Sequence, residues 1–438
     1  MVNIKMRKSV LYLAIGVPLA LLAAVLIYNL PPVHERLAWR VEALRSDIKY
    51  ALNPPEEVVF VPQATRAEVL TATPKDTPTV IPSATVTSPG PTATPAATAT
   101  TPLTPTALPA QASLSGIVHE YQKWNNCGPA NLAMALSFWD WTGTQIDTAA
   151  VLKPNPRDKN VMPYEMEAFV EEHTGLQAVV RLAGDLELLK TLISAGFPVV
   201  VEKGFEGSGF DGWMGHYEVV SGYDDSKQRF IVQDSYIMAN LPVPYDEMEA
   251  AWQAFNYLYL VIYPAEREEE VQAILGAQWD QTANYQYAAE RASSEIFNSS
   301  GRDQYFAWFN RGTSLMYLQD YGGAAAAYDE AFKLYPEIPE KARPWRMMWY
   351  QTGPYFAYFF TQRYYDVIAL ATSTIDTATE PAIEESFYWR ARAFSALYEL
   401  EGNPEYLAHA EEDLRRSLEW HPNFGPSLGQ MQILGMVP

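Results

Sequence analysis

The chain contains a single cysteine, Cys127, in the run Tyr121-Gln122-Lys123-Trp124-Asn125-Asn126-Cys127-Gly128-Pro129-Ala130. Pro129 suits the first turn of a helix, where its missing N–H costs nothing and its fixed φ is already helical, so the helix begins at the thiol. A helix amino terminus carries partial positive charge and free N–H groups. The charge lowers a thiol pKa, and the N–H groups can hold a developing oxyanion. A lone cysteine is also commonly a small buried hydrophobe. Which reading applies turns on whether a base reaches the same place.

Six histidines could supply one. His34 lies near the amino terminus, and His409 and His421 fall in a helical carboxyl-terminal block, which leaves His119, His173 and His216. His173 follows Glu171 and Glu172 and precedes Thr174-Gly175, the pattern of a basic residue at a helix carboxyl end. His119 sits in a polar approach to Gln122. His216 opens an apolar strand over 217–223, and Gly212 and Gly215 before it allow close backbone approach. A second apolar strand, 229–234, follows the polar turn Asp224-Asp225-Ser226-Lys227, so the two should pair antiparallel. An odd loop puts His216 and Asp234 on one sheet face, directly opposite or one diagonal apart. An even loop without a bulge puts them on opposite faces. A carboxylate beside an imidazole fixes its tautomer and steadies the imidazolium, and the ring can then take the Cys127 proton. Asp234 as an unrelated strand-end carboxylate is the competing reading.

The elements that must hold these residues form a block over 113–264. A strongly apolar helix is expected over 129–141 and further helices over 164–173 and 185–194. Strands rich in Val, Ile and Tyr are expected over 178–182, 198–202, 217–223, 229–234 and 258–263. That composition is α+β. From 265 to 438 the pattern is all-α. Trp308, Gly312, Leu315, Ala324, Tyr328, Ala331 and Pro336 fall at tetratricopeptide spacing, where small residues let two antiparallel helices approach and an aromatic fills the gap. A weaker unit with Trp389, Ala410 and Leu414 ends at Pro422, and Tyr350, Tyr365 and Ile368 suggest a degenerate unit between them. The aromatic group Trp345, Trp349, Tyr350, Tyr355 and Tyr358 reads as packing between repeats rather than as a ligand groove.

Ahead of these blocks, residues 1–8 read as a cytoplasmic tail and 9–30 as a transmembrane anchor. The uncharged run of about 22 residues spans roughly 33 Å as a helix. Lys5, Arg7 and Lys8 favour an inside amino terminus, against which Arg36, Arg40, Arg45 and Lys49 weigh. A cleaved signal peptide is the rival reading, but no small-x-small site follows the apolar run. Residues 31–60 read as a short amphipathic juxtamembrane helix. Residues 61–112, dominated by Thr, Pro, Ala and Ser, read as a disordered stalk; about 50 residues at roughly 3.1 Å each reach ~150 Å. The expected location is single-pass in a membrane, with the later domains outside the cytoplasm. A formal charge of -21 argues against a nucleic-acid partner, which needs a basic face. One cysteine excludes an intrachain disulfide and a cysteine-based zinc site, and no cofactor is expected.

Gln122 followed by Asn125-Asn126-Cys127-Gly128-Pro129-Ala130, Gly196-Phe197-Pro198-Val199-Val200-Val201, Gly215-His216-Tyr217-Glu218-Val219-Val220-Ser221-Gly222-Tyr223-Asp224 and Phe230-Ile231-Val232-Gln233-Asp234 together resemble the bacteriocin-processing, or double-glycine, cysteine peptidase family. The resemblance covers about 114–264. It implies a papain-like fold with Cys127 as nucleophile, His216 as general base and acid, and Asp234 as the residue that orients it. Gln122 is then the side-chain donor of an oxyanion hole beside the Cys127 N–H. Ser235 stands where the family usually has proline, which leaves the strand end less fixed. Processing members are fused to exporters, whereas this chain, with its expected anchor, stalk and repeats, resembles the stand-alone branch, so the leader-peptide role is not carried over. The expectation is a multidomain, membrane-anchored, extracytoplasmic thiol hydrolase cleaving a peptide or protein, with repeats that bind a protein partner or substrate. An inactive scaffold, and an acyl transferase or amidase using the same residues, are the alternatives.

Overall fold

The computed structural model describes residues 59–62, 107–155, 157–206, 212–378 and 381–437, with isolated positions between 16 and 28. The expected cytoplasmic tail, anchor, juxtamembrane helix and most of the stalk lie outside the described residues. Among the described residues no helix is long and apolar enough to cross a membrane.

Among the described residues, seven strands form one antiparallel sheet: β1 (Gln111–Ser113), β2 (Gln177–Arg181), β3 (Val199–Phe205), β4 (Met214–Asp224), β5 (Arg229–Gln233), β6 (Leu241–Pro244) and β7 (Tyr259–Tyr263). Their order is β2-β7-β3-β4-β5-β6, and β1 pairs with the carboxyl end of β4 beyond the point where β3 begins. Alternation along the strands splits the core in two. Val200, Val219, Leu260 and Ile262 pack with helices α1 (Cys127–Ser137), α2 (Gln145–Leu152) and α3 (Pro163–His173). Val199, Val201, Val220, Tyr259 and Val261 pack with α4 (Leu186–Ser194), α5 (Tyr245–Trp252) and α6 (Glu268–Leu275). The domain is α+β, as its patterning predicts.

The sheet reaches two residues into the expected stalk. Its first strand begins at Gln111, and the segment before it is held by Tyr223 Oη donating to the Pro109 carbonyl at 2.6 Å and by the Asp225 N–H donating to Ala110 at 2.9 Å. Three residues of strand are too few to give a periodic signal, so β1 was not legible. Nor was β6, whose Pro242 and Pro244 suit only a sheet edge. Helix α2 carried a readable start, Thr144 and Asp147 in a capping box, that the expected elements did not include.

The remaining helices are α7 (Gln281–Asn298), α8 (Gly301–Tyr317), α9 (Tyr321–Leu334), α10 (Met347–Tyr350), α11 (Gly353–Phe360), α12 (Tyr364–Thr377), α13 (Glu384–Glu401), α14 (Pro404–Trp420) and α15 (Gly425–Ile433). The tetratricopeptide spacing has its steric reason at Gly312: a Cβ there would stand 2.7 Å from the Tyr328 ring. Phe60, from the segment expected as juxtamembrane helix, is buried instead against Phe332, with ring centroids 5.1 Å apart.

This helical region packs directly on the sheet domain. Asn310 Nδ2 donates to the Gln253 carbonyl at 2.7 Å, Asn256 Nδ2 to Ser314 Oγ at 2.9 Å, Gln351 Nε2 to the Ala254 carbonyl at 2.8 Å, and Arg346 Nη1 to the Trp213 carbonyl at 2.8 Å. The last two bonds fasten the helices to the segments that flank the start of β4. Trp349, Tyr350, Tyr355 and Tyr358 are buried in the core that includes this interface and Trp345 packs against it, while Tyr350 also lines a cavity of about 430 Å³ and the cavity beside Cys127.

Candidate active site

Helix α1 begins at Cys127, and Gly128 through Leu136 are all buried. An apolar helix sunk in the core holds its first residue rigidly, and Cys127 stays half-buried at the domain surface. The loop before it is pinned by Gln145, at the first position of α2. Gln145 Oε1 accepts from the Lys123 N–H at 2.8 Å and from Asn126 Nδ2 at 2.9 Å, while its Nε2 donates to the Tyr121 carbonyl at 2.8 Å. Lys153 Nζ donates to the Asn125 carbonyl at 2.6 Å. Asn125 itself holds φ at 50°, a left-handed conformation that asparagine tolerates well.

His216 and Asp234 meet through a bulge. The loop between β4 and β5 has four residues, an even number, which by itself would carry Asp234 to the other face of the sheet from His216. The ladder runs Asp224↔Arg229, Tyr223↔Phe230, Gly222↔Ile231 and then Val220↔Val232, so Ser221 is an extra residue. That shift of one moves Asp234 from the row of Val219 to the row of Glu218, on the face of His216 and one diagonal away. The same shift explains why Val220 and Tyr223, three apart, share one core cluster. His216 Nε2 then lies 3.1 Å from Asp234 Oδ1. The same carboxylate oxygen accepts from the N–H groups of Tyr236 at 2.7 Å and Ile237 at 2.9 Å. Glu218, next on that face, is held instead by Lys203 at 2.7 Å.

With Nε2 given to Asp234, the imidazole has Nδ1 left for the Cys127 thiol, which lines the same cavity. Burial works against ionising Cys127, but the bond to His216, the imidazolium charge, the Tyr217 backbone and the Lys153 charge together outweigh it and lower the thiol pKa. Burial also disfavours a charged His216, yet Asp234 and the thiolate push its pKa up to about 10. Asp234, although buried, is held down to about 2 by His216 and the two backbone donors. Both shifts run toward a thiolate beside an imidazolium.

Gln122, Cys127 and His216 line one small cavity of about 40 Å³, with Trp124, Asn125 and Tyr350 among its other walls. Asp234 stands behind His216, fully buried. Gln122 Oε1 accepts from Ser235 Oγ at 2.8 Å, which leaves the amide Nε2 end for the cleft. Ser235 in turn accepts from Asn131 Nδ2 at 2.9 Å, and its carbonyl accepts the Gln122 N–H at 2.8 Å. The strand end expected to be loose for want of proline is therefore fixed by a hydrogen-bonded chain from α1 to Gln122. Asn131 was a readable signal: one turn after Cys127, it is the one amide in an otherwise apolar helix.

The other candidate histidines go elsewhere. His173 ends α3, 4.0 Å from Glu172. His119 Nε2 lies 2.9 Å from the Asp234 carbonyl and supports the backbone there. Tyr350 had no sequence signal for its role as a wall of the cleft, because only tertiary packing brings it there. It packs so closely on β4 that a Cβ at Gly215 would lie 2.9 Å from its ring and 2.7 Å from Phe255. The glycine before His216 is thus required jointly by Phe255 of the sheet domain and Tyr350 of the helical region.

Residues 111–260 match the model of the Peptidase_C39 like family, and residues 305–338 match that of the tetratricopeptide repeat. No curated protein matches the chain. Among solved structures, a C39-like peptidase from Bacillus anthracis is 18% identical, with a TM-score of 0.29, over 35% of this chain and 96% of that one. A double glycine motif protease from an AMS/PCAT transporter, solved with its leader peptide, is 17% identical, with a TM-score of 0.28, over 35% of this chain and 95% of that one. Xylellain, a cysteine protease from Xylella fastidiosa, is 16% identical, with a TM-score of 0.25, over 36% of this chain and 87% of that one. The expected resemblance holds: residues 111–260 form a papain-like α+β domain that matches the Peptidase_C39 like family, followed by helices that include a tetratricopeptide repeat.

Proposed function

We propose that this chain is a thiol hydrolase that cleaves peptide bonds. The observation that carries the reading is a helix-start thiol that lines one small cavity with an imidazole whose Nε2 is 3.1 Å from a buried carboxylate. The Cys127 thiolate attacks the carbonyl carbon, and the carbonyl π electrons move to oxygen. That oxyanion is received by the Cys127 N–H and the Gln122 amide. The His216 imidazolium gives its proton to the leaving amine as the C–N bond breaks, leaving a thioester. The neutral imidazole then takes a proton from water as it attacks, and collapse of the second tetrahedral species releases the acid and restores the thiolate. Asp234 holds the ring in place and steadies its charged form throughout.

The helical region contributes Tyr350 to the cleft wall and presents repeats suited to a protein partner or the substrate chain. Anchoring by residues 9–30, with the enzyme outside the cytoplasm, completes the proposal and rests on the uncharged run and its basic flank. Incubating a peptide library with the chain and with Cys127→Ala tests the activity. Cleavage should vanish in the variant, and cleavage that persists would sink the reading. Adding an amine nucleophile separates hydrolysis from acyl transfer, since only a transferase would yield mainly the amine adduct.

A further inference from the structure

A second cluster of ionisable side chains joins the sheet domain to the helices, away from the cleft. Asp158 lies in the loop between α2 and α3, Glu384 is the first residue of α13, and His421 follows α14. One oxygen from each carboxylate and one imidazole nitrogen all lie within 4.8 Å of one another. Asp158 is 5% exposed and Glu384 4%. His421 Nδ1 is 3.1 Å from Glu384 Oε1, but Glu384 Oε2 is buried with no hydrogen-bond partner among the described residues. A buried carboxylate oxygen left unpaired costs its full desolvation, so its place in a cluster of donors asks for a further positive group. Lys153, the nearby ammonium whose charge acts on both carboxylates, donates to the Asn125 carbonyl and does not hydrogen-bond Glu384 Oε2.

We propose that Asp158, Glu384 and His421 bind a first-row divalent cation of the zinc or manganese type, clasping the helical region to the sheet domain. Two carboxylate oxygens and one imidazole nitrogen suit such an ion, whereas calcium takes about six to eight oxygens. Donors about 2.1 Å from a tetrahedral ion stand roughly 3.4 Å apart, so the three side chains need close only a little. The clasp also buttresses the loop that carries the thiol, because Asn125 Nδ2 donates to the Asp158 carbonyl at 3.3 Å. None of the three ligands belongs to the cleft, so the site stands whether or not the cleft cleaves peptides.

Calorimetric titration of the full-length Cys127→Ala chain with zinc chloride tests this, the substitution removing a thiol that would compete for the ion. One equivalent should bind, and a hundredfold excess over Kd should raise Tm by roughly 5 °C. Glu384→Gln and His421→Ala should each weaken Kd at least about tenfold. Cobalt in place of zinc should give visible ligand-field bands that both substitutions remove. If Glu384→Gln does not fold, the half-buried His421→Ala carries the comparison. Absence of saturable binding, or binding unchanged in the variants, would overturn the proposal and leave an ion pair alone.

Discussion

Two histidine–carboxylate pairs in this molecule have the same length and different surroundings. His216 to Asp234 and His421 to Glu384 are each 3.1 Å. Around Asp234 stand backbone N–H groups and an imidazole that faces a thiol, and the carboxyl is held down to about 2. Around Glu384 stand more carboxylates: burial and the neighbouring Glu384 charge push Asp158 well above the usual carboxylate range, and burial, with Glu384 adding to it, takes Glu165 up to about 7. The pair alone therefore specifies no chemistry. A thiol at a helix start gives the first pair a group with which to separate charge, whereas the second gathers buried carboxyl groups at a domain junction.

Exchanging the two histidines for alanine breaks the comparison most strongly. His216→Ala should lower kcat/KM for peptide cleavage by about 10⁴-fold, since the thiol loses both its counter-ion and its proton carrier. His421→Ala should act on thermal stability, dropping Tm by a few degrees, with an effect on kcat/KM at least about a hundredfold smaller. Comparable kinetic losses from both would refute the division of roles.

Next in size are the residues that position the reacting groups. Asp234→Asn should cost about 10²-fold or more in kcat and also change the pH profile. In the parent, activity should fall on the acid side as the thiolate is protonated and on the alkaline side as His216 loses its proton near 10. After burial, which opposes it, the Asp234 charge is the main cause of that raised value, so the alkaline limb should move down in pH. An unmoved limb would separate Asp234 from the imidazole. Gln122→Ala should cost about 10² in kcat, as loss of one oxyanion donor does, and Ser235→Ala about tenfold, because it frees the Gln122 carbonyl without removing the donor. Equal losses in KM instead would make both ordinary substrate contacts. The smallest effect expected is Gly215→Ala, whose methyl would press on Phe255 and Tyr350 and cost about 1–3 kcal/mol of stability in a denaturant melt. A neutral result would show that the helices yield readily at this junction.

What the sequence allowed depended on how local each feature was. The helix start at Cys127 was readable because Pro129 and the apolar run are neighbours in the chain, and the short runs rich in Val, Ile and Tyr that became β3, β4 and β7 told the sheet from the repeats. Side-chain parity across the hairpin could be posed but not resolved, since a bulge at Ser221 leaves little mark on composition. Ser235 looked like a loss by comparison with proline; its worth lies in Asn131 and Gln122, each more than a hundred residues away. Tyr350, Lys153 and the Asp158 cluster depend on docking between distant segments, which no periodicity records.

The thiolate–imidazolium pair is the centre of this account, and the rate of alkylation at Cys127 as a function of pH measures it directly. Iodoacetamide should modify Cys127 at about pH 6 much faster than it modifies a free thiol, with a half-point below the ordinary thiol value that moves upward in His216→Ala. A half-point at or above the ordinary value, unchanged by removing His216, would contradict it.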